Sequence, residues 1–304
     1  MNRSQAIRAH AREVLDALRV VGVCIDIIMS YAHVMGPLDL EGPPMQHQWN
    51  GDKSIRPTGA FSQGDTLVLP SSDERKKKIV YLSKRFSSHS VAEPGNLWAA
   101  WWSPIALLED EIVYVDNRHG QHLCWTSQRE SKLVSVATPE EWTIVSVAGH
   151  GASLKTLMQA PIQRRKIWTF QDGEWIPHQE VMQLGSGVDM VLDPTGHVWV
   201  QSSLFSLEPE PGKGYPTCYS TLNLLKGHAG SIEKFTVGDT HIVVALRDIA
   251  ERKKSYIVAI HLWDQSIRVL HESDSDEMVK GLVIDPLMGA IFVAYANGTV
   301  LRLE

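Results

Sequence analysis

Short apolar runs separated by turn residues recur along this chain at a nearly constant period, and that period constrains its fold more than any other feature. The recurrent element is a turn followed by a run rich in Val, Ile and Leu: Gly64-Asp65-Thr66-Leu67-Val68-Leu69, then Asp110-Glu111-Ile112-Val113-Tyr114-Val115, then Ser153-Leu154-Lys155-Thr156-Leu157. Gly196-His197-Val198-Trp199-Val200, Thr240-His241-Ile242-Val243-Val244 and Gly289-Ala290-Ile291-Phe292-Val293 complete the series. Anchored on Leu67, Ile112, Leu154, Val198, Ile242 and Ile291, the steps run from 42 to 49 residues. Two units match closely in register, Val191-Leu192-Asp193-Pro194-Thr195-Gly196 against Val283-Ile284-Asp285-Pro286-Leu287-Met288-Gly289, with one residue inserted in the second turn. In both, Asp-Pro opens the turn and Gly closes it, as their backbone preferences dictate.

Each anchored strand is followed across a polar hairpin by another, at residues 78–82, 122–126, 166–170, 218–222, 256–262 and 299–303. Strands that precede the anchors fall at 97–101, 142–147, 188–192, 232–237 and 279–283. With an outer strand counted, each unit is a four-stranded meander, and repeated meanders at this period predict an all-β, six-bladed β-propeller. The last unit is one strand short at Glu304, and residues 45–50 have no other evident duty. They are expected to close the ring over 45–304, because an open propeller exposes a sheet edge. Residues 127–141 and 208–216 read as decorations of the ring.

Residues 1–37 differ in character. Ile7, Ala11, Val14, Leu18, Val21, Ile25 and Ile28 alternate steps of four and three, an apolar helical stripe with Arg8, Arg12, Asp16 and Arg19 off it. This predicts an amphipathic helical arm, one helix or two given Gly22, ended by Gly36-Pro37 and followed by a linker over 38–44. The stripe residues Ile7, Val14, Leu18, Val21, Ile25 and Ile28 are the arm's candidate partner contacts. The apolar run from Val20 to Met29 is interrupted by Asp26 and is about half the length that spans a bilayer. The arginines at 3, 8, 12 and 19 invite comparison with a mitochondrial presequence, but Glu13 and Asp16 lie among them.

Composition supports a folded β-rich protein: 43% hydrophobic, 21% charged and ten Trp. A net charge of −6 argues against dominant nucleic-acid binding. Cys24, Cys124 and Cys218, scattered and odd in number, suggest a reducing compartment and so a cytoplasmic or nuclear protein.

The fifth unit, beginning Gly227-His228 and ending its third strand at Trp263-Asp264, resembles a Trp-Asp (WD) repeat, while the Asp-Pro-x-Gly hairpins of the fourth and sixth resemble those of NHL-type propellers. Gly149-His150 has no matching Trp-Asp. These resemblances imply a propeller with a scaffolding role, not any particular site. Cys24-Ile25-Asp26-Ile27-Ile28-Met29-Ser30-Tyr31 is similar to the middle of an F-box, without its preceding Leu-Pro; that resemblance implies a ubiquitin-ligase substrate receptor.

Three basic clusters occupy equivalent positions before the third strands of units one, three and five: Arg75-Lys76-Lys77-Lys78, Arg164-Arg165-Lys166 and Arg252-Lys253-Lys254. Equivalent hairpins share a face, so these cations could attract nucleic acid, phosphoinositide head groups or an acidic protein. The alternative is that they only guard strand edges, with Asp73, Glu74, Asp248 and Glu251 offsetting part of the charge. A metal-dependent hydrolase of the six-bladed class would need polar residues in the channel; Asn96, Asp189 and Glu233 are the inner-strand candidates. Gly185-Ser186-Gly187 shares only glycines with a nucleophile elbow, and no close His pair backed by Glu occurs. Trp98, Trp101 and Trp102 fit inter-blade packing better than an exposed platform. The expected function is therefore a protein–protein interaction scaffold with no cofactor or metal, its contacts on the arm and one propeller face. An anionic-ligand module, the F-box-like receptor and the hydrolase are the alternatives.

Overall fold

The structure is a computed structural model that describes residues 45–304 except 52–54, 73–76, 94–103, 109–110, 117–120, 128–132, 151–152, 162–163, 182–188, 211–214, 217, 223–229, 252, 275 and 286–287. The helical arm, with Ile7, Val14, Leu18, Val21, Ile25 and Ile28, and the linker lie outside these residues. So do Arg75, Lys76, Arg252, Asn96, Trp98, Trp101, Trp102, Gly185-Ser186-Gly187 and Gly227-His228.

The described chain forms strands throughout. β1 is Gln46–Asn50. Blade 1 comprises β2 (Phe61–Gln63), β3 (Thr66–Ser72), β4 (Lys77–Ser83) and β5 (His89–Ala92); blade 2 comprises β6 (Ile105–Leu108), β7 (Glu111–Asp116), β8 (His122–Ser127) and β9 (Leu133–Ala137). Blade 3 is β10 (Thr143–His150), β11 (Ser153–Gln159), β12 (Arg165–Gln171) and β13 (Glu174–Val181). Blade 4 is β14 (Met190–Leu192), β15 (Val198–Ser203), β16 (Ser206–Pro209) and β17 (Tyr219–Ser220). Blade 5 is β18 (Gly230–Val237), β19 (His241–Asp248), β20 (Ser255–His261) and β21 (Ile267–Ser273). Blade 6 is β22 (Val279–Asp285), β23 (Ala290–Tyr295) and β24 (Thr299–Leu303), with β1 as its fourth strand. The molecule is thus an all-β, six-bladed propeller of antiparallel meanders.

The continuous apolar runs of the second strands have a simple cause: a blade is covered on both faces by its neighbours, so both sides of the pleat must be apolar. Ile112 to Val115 are fully buried, as are Val243 and Val244. Successive residues serve opposite neighbours. Val244 packs with Trp199 and Leu207 of blade 4, whereas Val243 packs with Ile291 and Val293 of blade 6. Every blade-to-blade contact has such a cluster: Val68 with Tyr114, Trp125 with Leu154, Ile167 with Val198, and Leu67 with Phe292 mark the other four. Full burial of each such aliphatic side chain stabilises by about 1.5–3 kcal/mol. Outer strands face water on one side, and Ile267 and Val269 of β21 are exposed.

The two ends of the described chain meet at one blade. β1 runs antiparallel to β24, with Gln46 opposite Leu303 and Asn50 opposite Thr299. Met45 and Glu304 exchange backbone hydrogen bonds of 2.9 and 3.0 Å. Between blades 6 and 1, Lys84 forms a buried ion pair with Asp285 and donates to the Gly64 carbonyl. Arg302 Nη1 donates to the Lys84 carbonyl at 2.9 Å and its guanidinium lies over the Phe86 ring.

Three strand positions differ from the sequence-based expectation. The first strand of blade 2 is β6, which follows Pro104 and pairs with β7; residues 97–101, where the sequence pattern predicts that strand, lie outside the described residues. The third strand of blade 4 is β16, within which only Leu207 is buried, a weak apolar signal; residues 219–220 form the fourth strand. The 127–141 stretch contains β9 and is an outer strand of the ring. No helix among the described residues is long and apolar enough to cross a membrane.

Candidate ligand-binding clefts between the blades

In an antiparallel meander, the turn between strands one and two and that between three and four lie at one end, and the remaining connections lie at the other. The basic hairpins join second to third strands, so all three fall on the latter face. There Arg164 and Lys253 are exposed and Lys78 is half-buried. Arg165 is buried, with Nε donating to Gln159 Oε1 at 3.1 Å, and burial pulls its guanidinium pKa down. Lys254 pairs with Glu251 at 3.0 Å and Glu272 at 3.8 Å. Lys166 is half-buried, and for Lys77 only the backbone strand is described. Part of the basic charge is therefore engaged within the protein.

The channel carboxylates tie blades together. Asp189 pairs with Lys234 of blade 5 at 2.5 Å and accepts from Ser146 of blade 3 at 3.1 Å. Burial would raise its pKa, but the Lys234 ammonium and these hydrogen bonds outweigh it and hold the carboxyl below the usual range. Glu233 pairs with Arg247 at 2.5 Å and accepts from Val279 N of blade 6 at 3.0 Å. Burial, then Lys234, depresses the Lys280 pKa, with Glu233 opposing. Among the described residues no three His, Cys, Asp or Glu are grouped to hold a metal. Cys124 is buried and Cys218 exposed.

The opposite face carries a cleft of about 750 Å³ between blades 2 and 3. Blade 2 supplies Leu108, Glu111, Trp125 and Val136; blade 3 supplies Leu154, Phe170 and, from its last turn, Asp172. β7 alternates, so Glu111 falls on the same side as Val113 and Val115, toward blade 3. Trp125 and Phe170 meet at 5.1 Å between ring centroids, and Phe170 and Trp175 at 4.9 Å. The indole of Trp175 donates to the Ala137 carbonyl of blade 2 at 2.9 Å, closing the outer side. The Asp172-Gly173 turn has φ of 53° and 87°, left-handed conformations that Asp tolerates and Gly favours.

A second aromatic cluster lies on this face between blades 4 and 5. Tyr215 stands 5.3 Å from the buried Trp199 and 4.8 Å from Trp263, which is 57% exposed. Tyr219 donates its hydroxyl to the Leu262 carbonyl across the blades, and burial followed by Tyr215 pushes its pKa up to about 12. Trp263-Asp264 forms a local turn: Asp264 accepts from Ser266 N at 2.8 Å and lies 2.9 Å from His261 Nδ1. Asp193 also builds its own turn, accepting from Thr195 N, Thr195 Oγ1 and His197 N at 2.7 to 2.9 Å.

Glu111, Trp125, Phe170 and Asp172 were not singled out by sequence reasoning. Each sits where a strand or turn is expected, and nothing in the linear order says that blades 2 and 3 converge there.

No family model matches this chain, and no curated protein matches it in sequence. Among solved structures it is similar to one described as the structure of SapL1 lectin in complex with alpha methyl fucoside: 10% identity over 81% of this chain and 90% of that one, with a TM-score of 0.55. It is also similar to YCF48 bound to D1 peptide, at 10% identity over 88% of this chain and 96% of that one, with a TM-score of 0.48. The likeness to the lectin is one of fold: this chain is a six-bladed β-propeller.

Proposed function

We propose that the protein is a non-catalytic interaction scaffold whose propeller contacts a protein partner on the face carrying the inter-blade clefts, with the amphipathic arm as a second contact. The observation that carries this reading is the cleft between blades 2 and 3, an aromatic-walled concavity of about 750 Å³. That volume is in the range of ligand sites and far above a packing defect. Asp189 and Glu233 are each held by an ion pair and by hydrogen bonds to neighbouring blades, which favours a structural role for them over a catalytic one.

A photo-crosslinking residue placed in the full chain at Asp172, Lys253 or Leu18 tests the assignment in cells. Protein adducts are expected from Asp172 and Leu18. Their absence at Asp172 removes the cleft face from the reading. Competition by alpha methyl fucoside, taken from the lectin of similar fold, would make the cleft a sugar site instead.

The anionic-ligand reading rests on Arg164 and Lys253, exposed on the opposite face in alternate blades. It has less support, because Arg165 and Lys254 already have partners inside the protein.

A further inference from the structure

The clefts on one face can be compared with one another. Between blades 6 and 1 the protein fills the position itself: Lys84, with 3% side-chain exposure, enters against the carboxylate of Asp285, beside the edge-to-face rings of Phe86 and Phe292 and with Arg302 over Phe86. Between blades 3 and 4, Lys155 Nζ reaches the Gly196 carbonyl at 3.1 Å. The cleft between blades 2 and 3 has the same ingredients on its walls, Glu111 and Asp172 beside Trp125 and Phe170, and no cation among its described lining residues. Among the described residues its charged lining, Glu111 and Asp172, is acidic.

From this contrast we infer that the cleft between blades 2 and 3 receives a lysine or arginine side chain of the partner, together with an apolar neighbour from the same segment. The inference rests on the protein-binding reading of this face and names the chemistry of its occupant. A cation there meets two carboxylates beside aromatic rings, both of which favour it over a neutral group of equal size. The cleft is much larger than one lysine, which is why the segment must bring apolar bulk to Val136, Leu154 and Leu108. An anionic ligand would meet Glu111 and Asp172 with no compensating charge on the described walls.

The test uses the full chain and three capped tripeptides, Leu-Lys-Phe, Leu-Arg-Phe and the neutral Leu-norleucine-Phe. Binding is read from the indole resonance of Trp125, assigned with Trp125→Phe. The Lys and Arg peptides are expected to shift that resonance and to bind about tenfold more tightly than the norleucine peptide. Glu111→Gln should bring the three within about twofold of one another, and Asp172→Asn should weaken the cationic pair, with the other indole resonances unmoved. Equal binding of all three peptides to the unaltered chain, or an unchanged preference in Glu111→Gln, would overturn the inference. So would a Trp125 resonance that none of them moves. The Asp172 crosslink is read separately, so a protein adduct there with no cationic preference sinks the occupant and leaves the protein-binding face standing.

Discussion

Lys84 and Asp285, with side chains 3% and 1% exposed, show how a single residue can join two blades. Removing one partner strands the other charge in the interface, so Lys84→Ala is expected to cost about 3–5 kcal/mol in urea unfolding. The double replacement Lys84→Met with Asp285→Leu should recover most of that loss, because it leaves no buried charge. His241 gives a pH dependence of the opposite origin. Burial, then the nearby His261, lowers its pKa below 6.5, with Asp264 opposing. Below that ordinary value the unfolded chain takes up a proton that the folded chain resists, so stability should fall as pH drops through about 6.5. His271, also lowered by burial, adds to the same slope. His241→Gln should flatten part of it in denaturant midpoints measured from about pH 7 to 5.

Elements meet closely enough that some positions admit no side chain. Gly281 follows a bulge in β22, and a Cβ there would lie 2.4 Å from Ala60 N, backbone of the connection into blade 1. Gly149 of β10 would bring a Cβ within 2.5 Å of the Leu107 carbonyl of β6. Gly281→Ala is therefore expected to cost about 1–3 kcal/mol by pushing blades 6 and 1 apart, seen as a lowered melting temperature. β1 gives a sharper test. Its Trp49 is half-buried and stacks edge-on against His89 of blade 1, at 5.5 Å. Compared with a chain that begins at residue 45, one that begins at residue 51 should melt about 5 °C lower or more, since the outer edge of β24 is then unpaired. An equally stable 51–304 chain would show that the ring does not depend on this strand.

For the whole molecule the two faces should behave differently. Reversing Arg164 and Lys253 to Glu is expected to leave protein adducts at Asp172 intact, because those cations lie on the face opposite the cleft. Retention on heparin that disappears with this reversal would move the function to the anionic reading.

The period and the buried second strands were legible in sequence because they are local. A strand covered on both sides must be continuously apolar, and Ile112 to Val115 or Ala290 to Val293 state this without reference to anything distant. The Asp-Pro and Gly turns of units four and six were equally plain, since turn chemistry acts over four residues. Where the local signal was weak, as in β16 with its one buried leucine, pairing across the sheet decided. The cleft belongs entirely to this second kind. Glu111, Trp125, Phe170 and Asp172 come from two blades, and their meeting is set by how those blades pack around the axis, a relation between distant segments that no period along the chain expresses.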